Sequence, residues 1–354
     1  MISPVVRRGS ALASQLGLSD RLRATPADRD FFRSVEAGLD EIERRLSEQV
    51  AFADEIADVT TRYLLNAGGK RVRPMLTLLT AHLGDGINRD VITAATAIEI
   101  THLASLYHDD VMDDSDKRRG VPSAQTVWGN SVAILAGDLL FARASQLMAG
   151  LGEGAIRLQA TTFERLVLGQ LHETVGPDDG QDPVDHYLGV LADKTGSLIA
   201  LAAQSGVIFS NAPSEYEQPI VDYGERIGIA FQLIDDVIDL SPQPEETGKV
   251  PGTDLRAGVV TLPLLRLREA ALTDAASADL LLRLEAGVIG LLDVDEVAAD
   301  ALIAELREHP VTAATLAEAH RWAHEAVAGL DTLPNGPVKK ALIRFADTIV
   351  ERSS

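Results

Sequence analysis

The sequence has no cysteine, which excludes disulfides and thiolate-held metals. Any bound metal must therefore rest on oxygen or imidazole. The same absence is in keeping with a cytoplasmic protein. Aromatic residues are only 4%, whereas alanine and leucine are abundant and apolar residues recur at spacings of three and four. That pattern belongs to helices rather than strands. Positive charge is scarce, with 32 Lys and Arg against 53 Asp and Glu and a net charge of −21. With no basic face, nucleic-acid binding by phosphate neutralisation and docking on anionic lipid are both disfavoured. No run reaches about 18 uninterrupted apolar residues, so no transmembrane segment is expected. The opening MISPVVRRGSALASQLGL (1–18) carries Ser, Gln and Gly where a secretory signal needs an apolar centre. It reads as the beginning of an N-terminal arm over residues 1–28.

From residue 29 onwards helical patterning runs almost to the end, broken by short Gly-, Pro- and Asn-containing stretches such as NAGG (66–69), GPDDGQDP (176–183) and LPNGP (333–337). No linker is long enough to separate domains. The expectation is one all-α domain over 29–354, a multi-helix bundle. No solenoid-type repeat is present. The only internal echo is a pair of acidic motifs. ASLYHDDVMDDSDKRRG (104–120) places five carboxylates in eight residues and then three cations, and FQLIDDVIDL (231–240) repeats the Asp-Asp-x-x-Asp spacing.

On a helix, Asp109 and Asp113 lie about 40° apart and one turn from each other, and His102 falls within about 20° of the same line. Asp235 and Asp239 repeat this arrangement, with Gln232 about 60° from Asp235. Paired carboxylates at helix C-termini oppose both the like-charge rule and the macrodipole. Such breaks mark functional sites, and divalent cations would relieve the repulsion. Hard oxygen ligands suit Mg²⁺ that completes its shell with water and phosphate oxygens. A calcium loop starting at Asp109 fails, since its sixth position is Asp114 and its twelfth Gly120.

Cations supply the complement. In AGGKRVRPML (67–76), Lys70 and Arg73 follow a Gly-Gly pair beside Pro74, a plausible helix start and hence an anion site. Arg118, Arg119, Lys194 and Lys249 add further positive points. Together these residues suit one diphosphate held through Mg²⁺ and a second held directly by Lys and Arg.

With these motifs in view, the chain resembles the trans-prenyltransferases, the all-helical polyprenyl diphosphate synthases. The resemblance rests on GGKRVRP (68–74), HDDVMD with RRG (108–113, 118–120), KTGSL (194–198), FQLIDDVID (231–239) and GKVPGTDLRAG (248–258), in the family's order. It implies that Asp109, Asp113, Asp235 and Asp239 hold Mg²⁺, three ions per site, on an allylic diphosphate that Arg118, Lys194 and Lys249 also contact. Lys70, Arg73, His102 and Arg119 would bind isopentenyl diphosphate, and Thr195 and Gln232 would line the reacting centre. Val259 stands where many members carry a further lysine. The resemblance also implies a bundle around a central cavity, of the isoprenoid synthase type, and a homodimer.

Ala104 and Ser105, five and four residues before Asp109, are small where makers of short products tend to hold bulky aromatics. On a helix Ser105 lies within about 40° of Asp109; the resemblance makes these two the chain-length residues and favours a product of about C30–C50. Alternatives are a short-chain geranylgeranyl or farnesyl diphosphate synthase and, from another class, a non-catalytic subunit of a heteromeric synthase. A class I terpene cyclase needs no second diphosphate site, so Lys70, Arg73 and Arg119 argue against it.

Overall fold

The computed structural model describes residues 25–242, 251–290 and 295–352. Helix α1 (Pro26–Gln49) opens with a reciprocal cap. The Thr25 hydroxyl accepts from the Asp28 N–H at 3.2 Å, and the Asp28 carboxylate accepts the Thr25 N–H at 3.0 Å. Pro26 sits at the first helical position, where its missing N–H costs nothing. The helix thus begins three residues before residue 29. Of the arm expected over 1–28, residues 1–24 lie outside the described residues.

The chain continues through α2 (Glu55–Asn66), α3 (Val72–Ala81) and α4 (Arg89–Met112). A two-residue hairpin, β1 (Lys117–Arg118) and β2 (Val121–Pro122), leads into α5 (Ala124–Trp128), α6 (Asn130–Ala149) and α7 (Glu153–Val175). Then come α8 (Pro183–Leu191), a π-helical turn (Ala192–Gly196), α9 (Ser197–Phe209) and α10 (Glu217–Asp239). The remainder is α11 (Thr253–Arg256), α12 (Leu262–Ala271), α13 (Ala275–Gly287), α14 (Glu296–Glu308), α15 (Pro310–Ala328) and α16 (Pro337–Glu351).

Two compact units divide this chain. The first comprises residues up to Glu164 with Leu198–Gly224 and Gly329–Phe345; the second comprises Arg165–Ser197, Glu225–Ala328 and the residues from Ala346 on. In the first, α4 is the central element. Asn88 caps it by accepting the N–H groups of Asp90 and Val91 at 2.9 Å each. From Val91 to Tyr107 it is buried on nearly every side, as a helix apolar all round must be. Helices α3 and α6 pack along it, and α1 and α2 close on α3, α4 and α6. The Thr77 and Thr80 hydroxyls bond the Ala202 and Ala203 carbonyls of α9 at 2.8 and 2.7 Å.

Helix α6 is long and apolar enough, by length and composition, to cross a membrane. Asp138 and Arg143 interrupt it, and one face is spent on α4. The second unit has its own core, in which Leu264 and Leu267 of α12, Leu280 and Leu284 of α13 and Ile303 and Leu306 of α14 are all within 1% of complete burial.

Candidate active site

In the first unit, the GGKRVRP stretch turns sharply before α3. Gly68 has φ +95° and Arg71 φ +54°. A non-glycine residue in the left-handed region costs about 1–2 kcal/mol, so Arg71 must be held there. Its buried guanidinium pairs with Glu43 and, at 3.1 Å, with Glu99 of α4. A Cβ at Gly69 would collide with the Arg71 Nη1 and lie 3.1 Å from the Arg119 Nη2, so a side chain there would displace the ends of both arginines. Helix α3 starts at Val72, leaving Pro74 in its first turn rather than at its start, and no side chain caps its N-terminus.

The hairpin delivers the second pair of cations. Lys117 pairs with Pro122 and Arg118 with Val121. Arg119 and Gly120 therefore form a two-residue turn, with φ +54° and +77°, the mirror-type geometry that such hairpins require. Arg119 donates to the Leu64 carbonyl at 2.8 Å. Arg118 donates to Asp110 at 2.6 Å, although Asp110 is completely buried. Asp110 is thus turned inward to fix Arg118, while Asp109 is half-buried and Asp113 exposed at the end of α4.

The first unit brings Arg73, His102 and Arg119 into one electrostatic cluster. Burial, then the positive fields of Arg73, Arg119, Arg118 and Arg71, hold the His102 imidazole neutral, well below the ordinary histidine range. A neutral imidazole still offers one N–H to a phosphate oxygen. Burial lowers Arg73 and pulls Arg119 down to about 10, with Glu99 the foremost charge opposing that shift at both. Lys70 is exposed just before this cluster. Ala104 is fully buried and Ser105 nearly so. The Ser105 hydroxyl donates to the His102 carbonyl at 2.9 Å, so it presents little unsatisfied polarity. Tyr107 points elsewhere, its hydroxyl accepting the Leu64 N–H at 3.2 Å and donating to the Thr60 carbonyl.

In the second unit, Lys194 and Thr195 sit on the π-helical turn, whose wider winding re-aims side chains and recurs at functional sites. A Cβ at Gly169 of α7 would lie 2.6 Å from the Lys194 backbone nitrogen, so glycine there admits the turn. Lys194 pairs with Glu173, and the Thr195 hydroxyl reaches Gln232 at 3.5 Å. Arg165 braces the turn through Asp193 at 2.8 Å and Glu225. On α10 the middle aspartate is again turned inward. Asp236 accepts the Tyr187 hydroxyl at 2.6 Å, and burial pushes its carboxyl up to about 8. Asp235 is paired with Arg352 at 3.1 Å, and Asp239 accepts the Asp254 N–H at 3.1 Å. Val259 is exposed, its N–H bonded to the Asp254 carbonyl at 2.8 Å. Lys249 lies outside the described residues.

Among the described residues no set of three or more carboxylate or imidazole groups is gathered to hold a metal alone. The donors that each motif offers are two carboxylates. That set fits a hard cation which brings diphosphate and water oxygens to complete its shell.

Sequence reasoning missed Glu99, Glu173, Tyr187 and Arg352. Only Glu99 had a signal, as a lone carboxylate inside the apolar run of α4; carboxylates are seldom fully buried unless paired.

The polyprenyl synthetase family model matches residues 54–285. Nonaprenyl diphosphate synthase of Mycobacterium tuberculosis is 43% identical over 327 residues, covering 92% of this chain and 95% of that one. The structure of a decaprenyl diphosphate synthase from Rhodobacter capsulatus matches with a TM-score of 0.80 and 32% identity, over 92% and 99% of the two chains. That of geranylgeranyl pyrophosphate synthase from Corynebacterium glutamicum, complexed with calcium and isoprenyl diphosphate, matches with a TM-score of 0.78 and 38% identity, over 93% and 98%. The fold is all-α, of the isoprenoid synthase type, and the chain belongs to the polyprenyl synthetase family.

Proposed function

We propose that this enzyme is a Mg²⁺-dependent trans-prenyltransferase. It condenses isopentenyl diphosphate head-to-tail with an allylic diphosphate to give an all-trans, long-chain polyprenyl diphosphate. The observation that carries this reading is the direct anion cluster of the first unit, Arg73, His102 and Arg119 around a buried Glu99, on a chain that keeps both aspartate motifs. A cyclase has no use for a second diphosphate site, and a non-catalytic subunit has no use for either.

In this reading Asp109, Asp113, Asp235 and Asp239 hold the Mg²⁺, three ions per site. When bound, the metal neutralises charge on the departing diphosphate. Arg118, Lys194 and Lys249 meet the same allylic diphosphate and stabilise it as the C–O bond breaks. Asp110 keeps Arg118 in place for this task. Lys70, Arg73, His102 and Arg119 hold isopentenyl diphosphate so that its double bond faces the allylic cation. The π electrons form the new C–C bond, and the adjacent C–H proton leaves to the released diphosphate. Thr195 and Gln232 line the reacting carbon.

Long chain length is supported by Ala104 and Ser105, whose side chains put no bulk on α4 one turn above Asp109, which suits a product of about C30–C50. It is also supported by likeness to synthases named for nonaprenyl and decaprenyl products. We place the enzyme in the cytoplasm as one catalytic domain. We make it a homodimer because α6 exposes Ile134, Leu135 and Leu139, an apolar stripe of the kind that marks a protein interface. A monomeric mass in solution would remove the dimer from this reading.

Substitution separates the two anion sites. Arg73→Ala should raise KM for isopentenyl diphosphate more than for the allylic substrate, and Lys194→Ala should do the reverse. Each loses charged hydrogen bonds of about 1.5–3 kcal/mol. Equal effects on both KM values in both variants would refute the division.

A further inference from the structure

Glu99 lies one turn before His102 on α4 and is 3% exposed. One carboxylate oxygen accepts from the Arg71 Nη1 at 3.1 Å; the other, Oε2, is sealed from solvent without a hydrogen-bond partner. In the same cluster the Nε of Arg73 is also sealed and without a partner. An unsatisfied buried acceptor and an unsatisfied buried donor of opposite charge each carry a desolvation penalty, which their union would relieve. Arg71 is already committed, its Nε and Nη2 to Glu43 and its Nη1 to Glu99. It also occupies the left-handed region, where strain persists only when the surroundings over-determine it. Arg119 is tied to the Leu64 carbonyl. Arg73 is the arginine left to move.

We propose that Glu99 is the positioning residue of the isopentenyl diphosphate site: its Oε2 takes the Nε–H of Arg73 when a diphosphate binds, turning both Nη groups of Arg73 onto the diphosphate oxygens. Arg71 serves as the anchor that keeps the Glu99 carboxylate in place from behind. The foremost negative charge around both Arg73 and Arg119 is Glu99, which fits this role. A guanidinium steered through Nε presents its remaining donors as a fork, the geometry phosphate recognition exploits.

This inference rests on the assignment of Arg73 and His102 to isopentenyl diphosphate, and steady-state kinetics with Mg²⁺ tests the two separately. Glu99→Gln keeps the shape and removes the charge. It should raise KM for isopentenyl diphosphate about ten-fold or more and leave the allylic KM within about three-fold. Glu43→Gln, at the outer end of Arg71, should leave both within about three-fold. Arg73→Lys has no Nε, so adding Glu99→Gln to it should cost nothing further, the non-additivity of two groups acting through one contact. If Glu99→Gln does not fold, Glu99→Asp reads the same split, with the charge kept but withdrawn. The inference is overturned if Glu99→Gln moves both KM values equally or neither, if Glu43→Gln matches it, or if the double variant is additive. A wild-type enzyme that condenses normally in those cases leaves the proposed function standing. A wild type that does not condense removes both.

Discussion

Asp110 and Asp236 hold the same place in their motifs, and each is sealed against a partner far away in sequence or structure type: Arg118 of the hairpin for one, Tyr187 of α8 for the other. Their flanking neighbours, Asp109 with Asp113 and Asp235 with Asp239, are the carboxylates that the proposed function gives to metal. The helical angle alone separates these roles in sequence, because 40° and 100° steps put the first and last aspartates together and the middle one aside. The partners were not legible, since nothing local in the sequence points from Asp236 to Tyr187 or from Asp235 to Arg352. Replacing Asp109 or Asp235 with Ala should lower turnover at saturating Mg²⁺ by at least a hundred-fold, about 3 kcal/mol, with the circular dichroism spectrum unchanged. Turnover within a few-fold of wild type would remove the metal assignment. A second residue-scale outcome concerns His82, whose ring meets Phe31 edge-on at 4.8 Å and whose Nε2 is buried without a partner. Burial lowers its pKa from the usual 6.5. Below pH 6.5 the unfolded chain therefore binds a proton that the folded chain resists, and the stability present above that pH is lost as pH falls. Urea melts from pH 7 to 5 should show a shallower decline for His82→Phe than for wild type; parallel declines would contradict this.

Helix α4 carries more of the proposed site than any other element, contributing Glu99, His102, Ala104, Ser105 and Asp109 along 11 residues of one buried rod. Its existence, its length and the position of the motif at its end were readable from the apolar run. The hairpin and the π-turn were not. Two-residue strands leave no alternation to detect, and the left-handed Arg119 contradicts its own propensity because the turn between Arg118 and Val121 demands it. The π-turn depends on the close approach of Gly169 to Lys194, a contact between α7 and the turn that no local pattern encodes. Chain length is decided at this scale. Ser105→Phe adds a ring one turn above Asp109, where the growing prenyl chain would pass. It should shorten the dominant product by several C5 units without abolishing the first condensation, as read by mass spectrometry. An unchanged product spectrum would place the stopping point elsewhere.

For the molecule as a whole, the net charge of −21 sits beside the proposed isopentenyl diphosphate site with its three cations, Lys70, Arg73 and Arg119. Acidic surroundings repel free diphosphates, so in the proposed function binding would depend on these local cations and on metal rather than on long-range attraction. The all-helical class and the order of the motifs were legible from period and spacing. The arrangement of the chain as two compact units was not, because short connections throughout gave no linker to divide it. In the proposed function the two substrates are joined into one growing linear chain. Its most direct test is mass spectrometry of the products formed from isopentenyl diphosphate with C5, C10, C15 and C20 allylic starters, with and without Mg²⁺. Mg²⁺-dependent linear products rising in C5 steps to about C30–C50 are expected, in keeping with the small residues on α4. Cyclic hydrocarbons, no consumption of isopentenyl diphosphate, or a series ending at C15 or C20 would contradict it.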